Sequence, residues 1–191
     1  MTSQEDFSLP PLDADGRVDL LTGLDAPEIF YRFLSKAILS TRRDSSRRVA
    51  LLRVRLGIEP LRRARNKISD SGLSFRVVQF AEVLRSQTRS DEQVVRIGEV
   101  TFLILARVSD VSEVEAMSSR LISAVADAKF DRDSNLESVD SSVTVERGSS
   151  AQAGDQSIDI DIAGYPFEVF MDTYLHIEGE EMLEFLERVG V

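Results

Sequence analysis

Apolar residues recur at helical spacing through Ile29, Phe30, Phe33, Leu34, Ala37 and Ile38, which predicts an amphipathic helix near the start of the chain. Asp25 stands where an N-cap belongs, with Pro27 in the first turn and Glu28 completing a capping box. The pattern then changes period. Residues 49–56 open as an unbroken apolar run and alternate only at Arg53 and Arg55, which predicts a central strand whose far end opens to solvent or to a site. Gly57 ends it. A basic helix is expected over 61–68, a break at Asp70-Ser71-Gly72, and a further amphipathic helix through Phe75, Val77, Val78, Phe80, Ala81 and Leu84, ending near Thr88.

Residues 94–105 are two β-rich runs around the polar pair Gly98-Glu99, a hairpin with glycine at its bend. Ser109-Asp110 precedes a long helix with Val111, Val114, Met117, Leu121, Val125 and Ala128 on one face. Residues 131–156 are rich in serine, aspartate, glycine and glutamine and are expected to form a loose insertion, with one candidate strand at 143–145 in a short hairpin of its own. Ile158, Ile160 and Ile162 alternate with Asp159 and Asp161, as in a strand with one buried face. The aspartates read as its solvated side, with a metal pair as the alternative. Two helical stretches, 167–177 and 180–189, are expected to close the chain, with His176 in the first as a surface or internally satisfied histidine.

Residues 1–18, broken by Pro10-Pro11 and Asp13-Ala14-Asp15-Gly16, are expected to be a flexible tail, and 19–191 a single domain. The element order predicts an α+β sandwich, helices packed on a mixed or antiparallel sheet.

Composition narrows the chemistry. There is no cysteine and a single histidine, so neither a disulfide framework nor a multi-histidine metal site is available. No apolar run reaches the length of a membrane span, and residues 1–11 lack a signal-peptide core, so a cytoplasmic protein away from membranes is expected. The net charge of −10 hides an asymmetry: residues 1–100 carry 17 basic and 14 acidic side chains, residues 101–191 carry 6 and 19. The basic excess gathers in Arg42, Arg43, Arg47, Arg48, Arg53, Arg55, Arg62, Arg63 and Arg65. This reads as a solvated face, with a phosphate or acidic-partner patch as the alternative. Nucleic acid is not expected, because no recognition motif or interleaved aromatic set accompanies the arginines.

Four islands in order carry a resemblance. Asp19-Leu20-Leu21-Thr22-Gly23-Leu24 resembles an Asp-x-Leu-Thr-Gly-Leu opening. Residues 84–96 match a helix end and entry strand in spacing, and Arg96-Ile97-Gly98-Glu99-Val100-Thr101-Phe102 resembles Arg-x-Gly-Gly-Asp-Glu-Phe. Residues 158–166 resemble a late Ile-Ser-Ile-Gly-Ile-Ala-x-Tyr-Pro strand. Together they resemble the GGDEF domain of bacterial diguanylate cyclases, and the resemblance implies a ferredoxin-like, palm-type fold.

The resemblance also implies a chemistry, and residues it needs are replaced. Joining two GTP molecules into cyclic di-GMP uses divalent ions clamped by carboxylates. The family's metal carboxylates map onto Gly57 and Val100, and its guanine-reading pair onto Arg65 and Ser74. Its second turn glycine is Glu99, its following glutamate is Thr101, and no lysine follows Pro166. Gly98, Glu99, Val100, Thr101 and Phe102 thus read as a degenerate signature turn, with no catalytic residue, metal ligand or cofactor assigned. Glu59 becomes a candidate metal ligand only if the alignment slips by two residues. Arg89-Ser90-Asp91-Glu92 stands at the spacing of the family's Arg-x-x-Asp product site, so Arg89 and Glu92 are candidates for binding cyclic di-GMP, against an exposed charged turn as the alternative. The reading is a regulatory or protein-interaction module that lacks cyclase activity. It expects a protein partner, leaves a homodimer open, and keeps a cyclic di-GMP receptor and, third, an active cyclase as alternatives.

Overall fold

The computed structural model describes residues 10–57, 70–128, 143–149, 156–162 and 168–191. Their elements are α1 (Pro27–Thr41), β1 (Arg48–Gly57), α2 (Asp70–Gln87), β2 (Gln93–Arg96), β3 (Thr101–Val108), α3 (Val111–Asp127), β4 (Val143–Ser149), β5 (Gln156–Ile162), β6 (Glu168–Leu175) and α4 (Met182–Val189). The strands make one sheet in the order β2-β3-β1-β6-β5-β4, and every neighbouring pair is antiparallel.

The apolar run at the start of β1 follows from its place between β3 and β6, covered on both faces. Ala50, Leu52, Val54 and Leu56 pack with Phe80 and Leu84 of α2 and with Met117 and Leu121 of α3. Val49 and Leu51 point the other way, to Phe30 and Leu34 of α1 and Phe185 and Val189 of α4. A strand lined on both sides cannot alternate polar and apolar residues, so its periodicity is lost. Phe80 meets Phe102 edge to face, ring centroids 5.5 Å apart. The result is the expected α+β sandwich, an antiparallel sheet between helices.

Several local expectations are corrected. Asp25 does not cap α1: its backbone forms a parallel bridge to Val95, and Ala26 takes the cap position without a side-chain bond. Pro27 is at the first turn as expected. Asp70-Ser71-Gly72 begins α2 rather than breaking the chain. The stretch expected as a helix over 167–177 is β6, where Val169, Met171, Thr173 and Leu175 are buried and Phe170, Asp172 and Tyr174 are half-buried. Its period is two, and its aromatic and β-branched residues suit a strand.

Residues 10–18 are tied to the domain rather than trailing from it. The Asp13 carboxylate accepts from the backbone N–H of Arg17 (2.7 Å) and Val18 (3.1 Å), and bridges join Leu12 to Asp19 and Val18 to Asp25. Within the stretch expected to be loose, 143–149 is edge strand β4, paired with β5 along its length. Residues 1–9, 131–142, 150–155 and the basic helix expected at 61–68 lie outside the described residues. No helix among the described residues is long and apolar enough to cross a membrane.

Candidate functional site at the hairpin turn

The β2–β3 hairpin closes through Ile97 N–H and Gly98 N–H, both donating to the Thr101 carbonyl at 2.9 and 3.4 Å. Its turn lies against the end of β1, where Leu56 N–H donates to the Val100 carbonyl at 3.1 Å. Gly57 and Val100, distant in sequence, are therefore brought together. They do not make a cation site. Gly57 has no side chain, and Val100, 5% exposed, packs in the core with Leu56, Phe102 and Val169. Among the described residues no group of three or more His, Asp or Glu could hold a metal ion. Glu59 and Arg65 lie outside the described residues, and Ser74 is half-buried on α2.

Glu99 is the exposed residue of the turn, while Thr101 and Phe102 are buried where β3 begins. Gly98 does not owe its identity to backbone strain, because its φ is not positive and an added Cβ would meet Thr101 only at 3.6 Å, an ordinary contact. The turn is held instead by Arg96. That side chain is 4% exposed, donates to the carbonyls of Gly98 (3.1 Å) and Glu99 (3.4 Å), and forks onto Asp19 through Nε (2.6 Å) and Nη2 (2.7 Å). Asp19 is fully buried and also accepts from the Thr22 hydroxyl and the Leu21 N–H. Burial pushes its carboxyl pKa up, but the hydrogen bonds from Arg96, Thr22 and Leu21 outweigh that and hold it below the ordinary aspartate range. Two sequence islands thus meet in one ion pair. A signal for it existed: an arginine inside the apolar run Val94-Val95-Arg96-Ile97 needs a buried partner.

Arg89 and Glu92 share the turn between α2 and β2, and the Arg89 backbone N–H donates to the Glu92 carboxylate at 2.7 Å. The Arg89 side chain is exposed, whereas Glu92 is 7% exposed and takes Nη2 of Arg120 on both oxygens, at 3.1 and 2.9 Å. Arg120, on α3, belongs to this cluster and was not singled out from the sequence, since nothing in its spacing links it to Glu92.

Of the expected arginine set, Arg62, Arg63 and Arg65 lie outside the described residues, and several of the others have partners of their own. Arg42 pairs with Glu181, Arg47 and Arg48 donate to the backbone carbonyls of Arg107 and His176, and Arg53 pairs with Asp172 at 2.8 Å. Arg55 lies over the Phe170 ring, 5.0 Å from its centroid. His176 follows β6 in an irregular segment, buried against Phe185, with Nε2 at 2.9 Å from the Glu180 carbonyl. It is the satisfied histidine of the two readings.

The fold has counterparts among solved structures. The GGDEF domain of DgcB from Caulobacter crescentus, in complex with c-di-GMP, matches with a TM-score of 0.66 and 14% identity over 94% of this chain and 89% of that one. The FimX GGDEF domain from Pseudomonas aeruginosa matches with a TM-score of 0.62 and 17% identity over 91% and 89%. This chain has the GGDEF fold. The diguanylate cyclase SiaD of P. aeruginosa, in complex with its activator SiaC, matches at 0.65 and 15% over 91% of this chain and 55% of that chain. No family model matches the sequence, and no curated protein matches it.

Proposed function

We propose that this chain is a GGDEF-type signalling domain without cyclase activity, acting as a regulatory or protein-interaction module. One observation carries the reading: the position that resembles the family's turn aspartate is Val100, and its side chain lies in the apolar core rather than over the turn. In-line joining of two nucleoside triphosphates needs cations to neutralise the phosphates and activate the hydroxyl, and neither glycine nor valine holds a cation. Neighbours of the fold bound to c-di-GMP and to an activator protein support a place in signalling. The test is incubation of the purified protein with GTP and Mg²⁺ or Mn²⁺. No cyclic di-GMP above a protein-free control is expected. Product that disappears on Glu59→Ala would overturn the reading and assign the metal to Glu59.

A second reading, a cyclic di-GMP receptor, is favoured by the exposed side chain of Arg89, whose backbone N–H donates to the Glu92 carboxylate. A charge-assisted arginine contact contributes about 1.5–3 kcal/mol. Arg89→Ala should therefore weaken a measured affinity roughly ten- to a hundredfold in isothermal titration. An unchanged affinity moves the ligand elsewhere, and absence of binding removes the receptor reading.

A further inference from the structure

The sequence Arg-Arg-Asp-Ser-Ser-Arg-Arg, residues 42–48, leads from the end of α1 into β1, and all seven residues are exposed. Its backbone is lightly held. The N–H groups of Arg43 and Asp44 both donate to the Ser40 carbonyl, at 3.1 and 3.0 Å, and the Arg47 N–H reaches the Asp44 carbonyl only at 3.4 Å. Two serines sit among the four arginines, and they differ. The Asp44 carboxylate accepts from the Ser46 N–H at 3.1 Å and from the Ser46 hydroxyl at 2.6 Å. Among the described residues the Ser45 hydroxyl has no hydrogen-bond partner.

An acidic substrate groove reads paired arginines ahead of a hydroxyl, because each guanidinium fork can fill a carboxylate. The run Arg-Arg-x-Ser occurs once in the sequence, at Arg42-Arg43-Asp44-Ser45. The looser spacing, one arginine three residues before a hydroxyl, recurs at Ser35, Ser46, Thr88, Ser123 and Ser150. The fold separates Ser45 from these. Ser35 is half-buried on α1. The hydroxyls of Ser46, Thr88 and Ser123 donate to Asp44, to the Arg85 carbonyl at 2.8 Å and to Asp127 at 3.3 Å. Ser150 lies outside the described residues. Exposure, a free hydroxyl and the arginine pair coincide at Ser45.

We propose that Ser45 is a phosphorylation site for an arginine-directed serine kinase. The Ser45 Oγ attacks the γ-phosphorus of ATP held by that kinase. A new O–P bond forms, the bond from the γ-phosphorus to the β–γ bridging oxygen breaks, ADP leaves, and the hydroxyl proton passes to a carboxylate of the kinase. The phosphate then stands among Arg42, Arg43, Arg47 and Arg48, where it competes with Glu181 for Arg42. The site is independent of the interaction-module reading, because β1 separates it from the hairpin turn by ten residues, about 30 Å of strand. The test incubates the full chain with Mg²⁺, ATP and the catalytic subunit of cyclic-AMP-dependent protein kinase, with the labelled residue located by peptide mass spectrometry. Phosphate is expected on Ser45, lost in Ser45→Ala and kept in Ser46→Ala. Arg43→Ala should lower kcat/KM for the labelling by about tenfold or more, the loss of one charge-assisted contact. All three positions are exposed, and circular dichroism checks that each variant is folded. Label on another residue, an unchanged rate in Arg43→Ala, or no label on the folded chain, whether or not a free peptide of residues 40–50 is labelled, would overturn the proposal.

Discussion

Val100 sets the chemical character of the hairpin. Its carbonyl is tied to Leu56 N–H and its side chain is enclosed by the core beneath α2 and α3. A carboxylate placed here would not make a metal site, because the new charge would enter apolar surroundings without a partner. Val100→Asp should lower the unfolding free energy by about 3 kcal/mol or more, read by urea denaturation, and should yield no metal-dependent cyclase activity. A stable, active variant would show that the turn can reorganise around a cation. Arg96 has the opposite situation: a buried charge whose fork is filled by Asp19 and by two turn carbonyls, so that burial is offset by hydrogen bonds.

At the scale of elements, α4 is fixed at both ends by named contacts. At its start, Glu181 and Glu184 make a reciprocal capping box. At its end, Gly190 adopts φ +79°, and Arg53 reaches from β1 to donate to the Val189 carbonyl at 2.7 Å while pairing with Asp172 of β6. A Cβ on Gly190 would lie 2.5 Å from Arg53 Nη1. Gly190→Ala should cost about 1–2 kcal/mol from the left-handed backbone alone, and it should also displace Arg53. Gly98→Ala is the control: with no positive φ and only ordinary contact to Thr101, it should change stability by less than about 0.5 kcal/mol. Equal effects at the two glycines in chemical denaturation would contradict this account of the turn.

Across the molecule, several carboxylates are held below their ordinary range. Besides Asp19, they include Glu180, where burial raises the pKa but bonds from Arg188 and the Ile177 N–H lower it further, and Asp13, Asp44 and Asp110, lowered by local hydrogen bonds. A depressed folded pKa contributes stability that is present above the unfolded pKa, about 4, and is lost as pH falls through the folded value. The protein should therefore lose stability steadily below about pH 4. Asp19→Asn should be destabilised by about 3–5 kcal/mol near neutral pH, with the gap to the parent narrowing as acid protonates the parent's Asp19. Parallel stability–pH curves would show that Asp19 does not titrate with folding.

The sequence by itself determined the elements with strong local periodicity: α1, α3, the β2–β3 hairpin and the apolar entry of β1, whose residues bury one face or both. Four short islands also carried the resemblance, because backbone turns and core positions leave marks in the chain. What tertiary structure decided was of two kinds. One was pairing: β6, whose short alternating run was mistaken for a helix, became a strand because β1 and β5 offered it ladders on both sides. The other was convergence over long separations: Asp19 with Arg96, Glu92 with Arg120, and Gly57 with Val100 are brought together only by the sheet and its helices. Local propensity acts over a turn or two, whereas the chemistry of this site depends on which side chains a folded sheet sets next to one another.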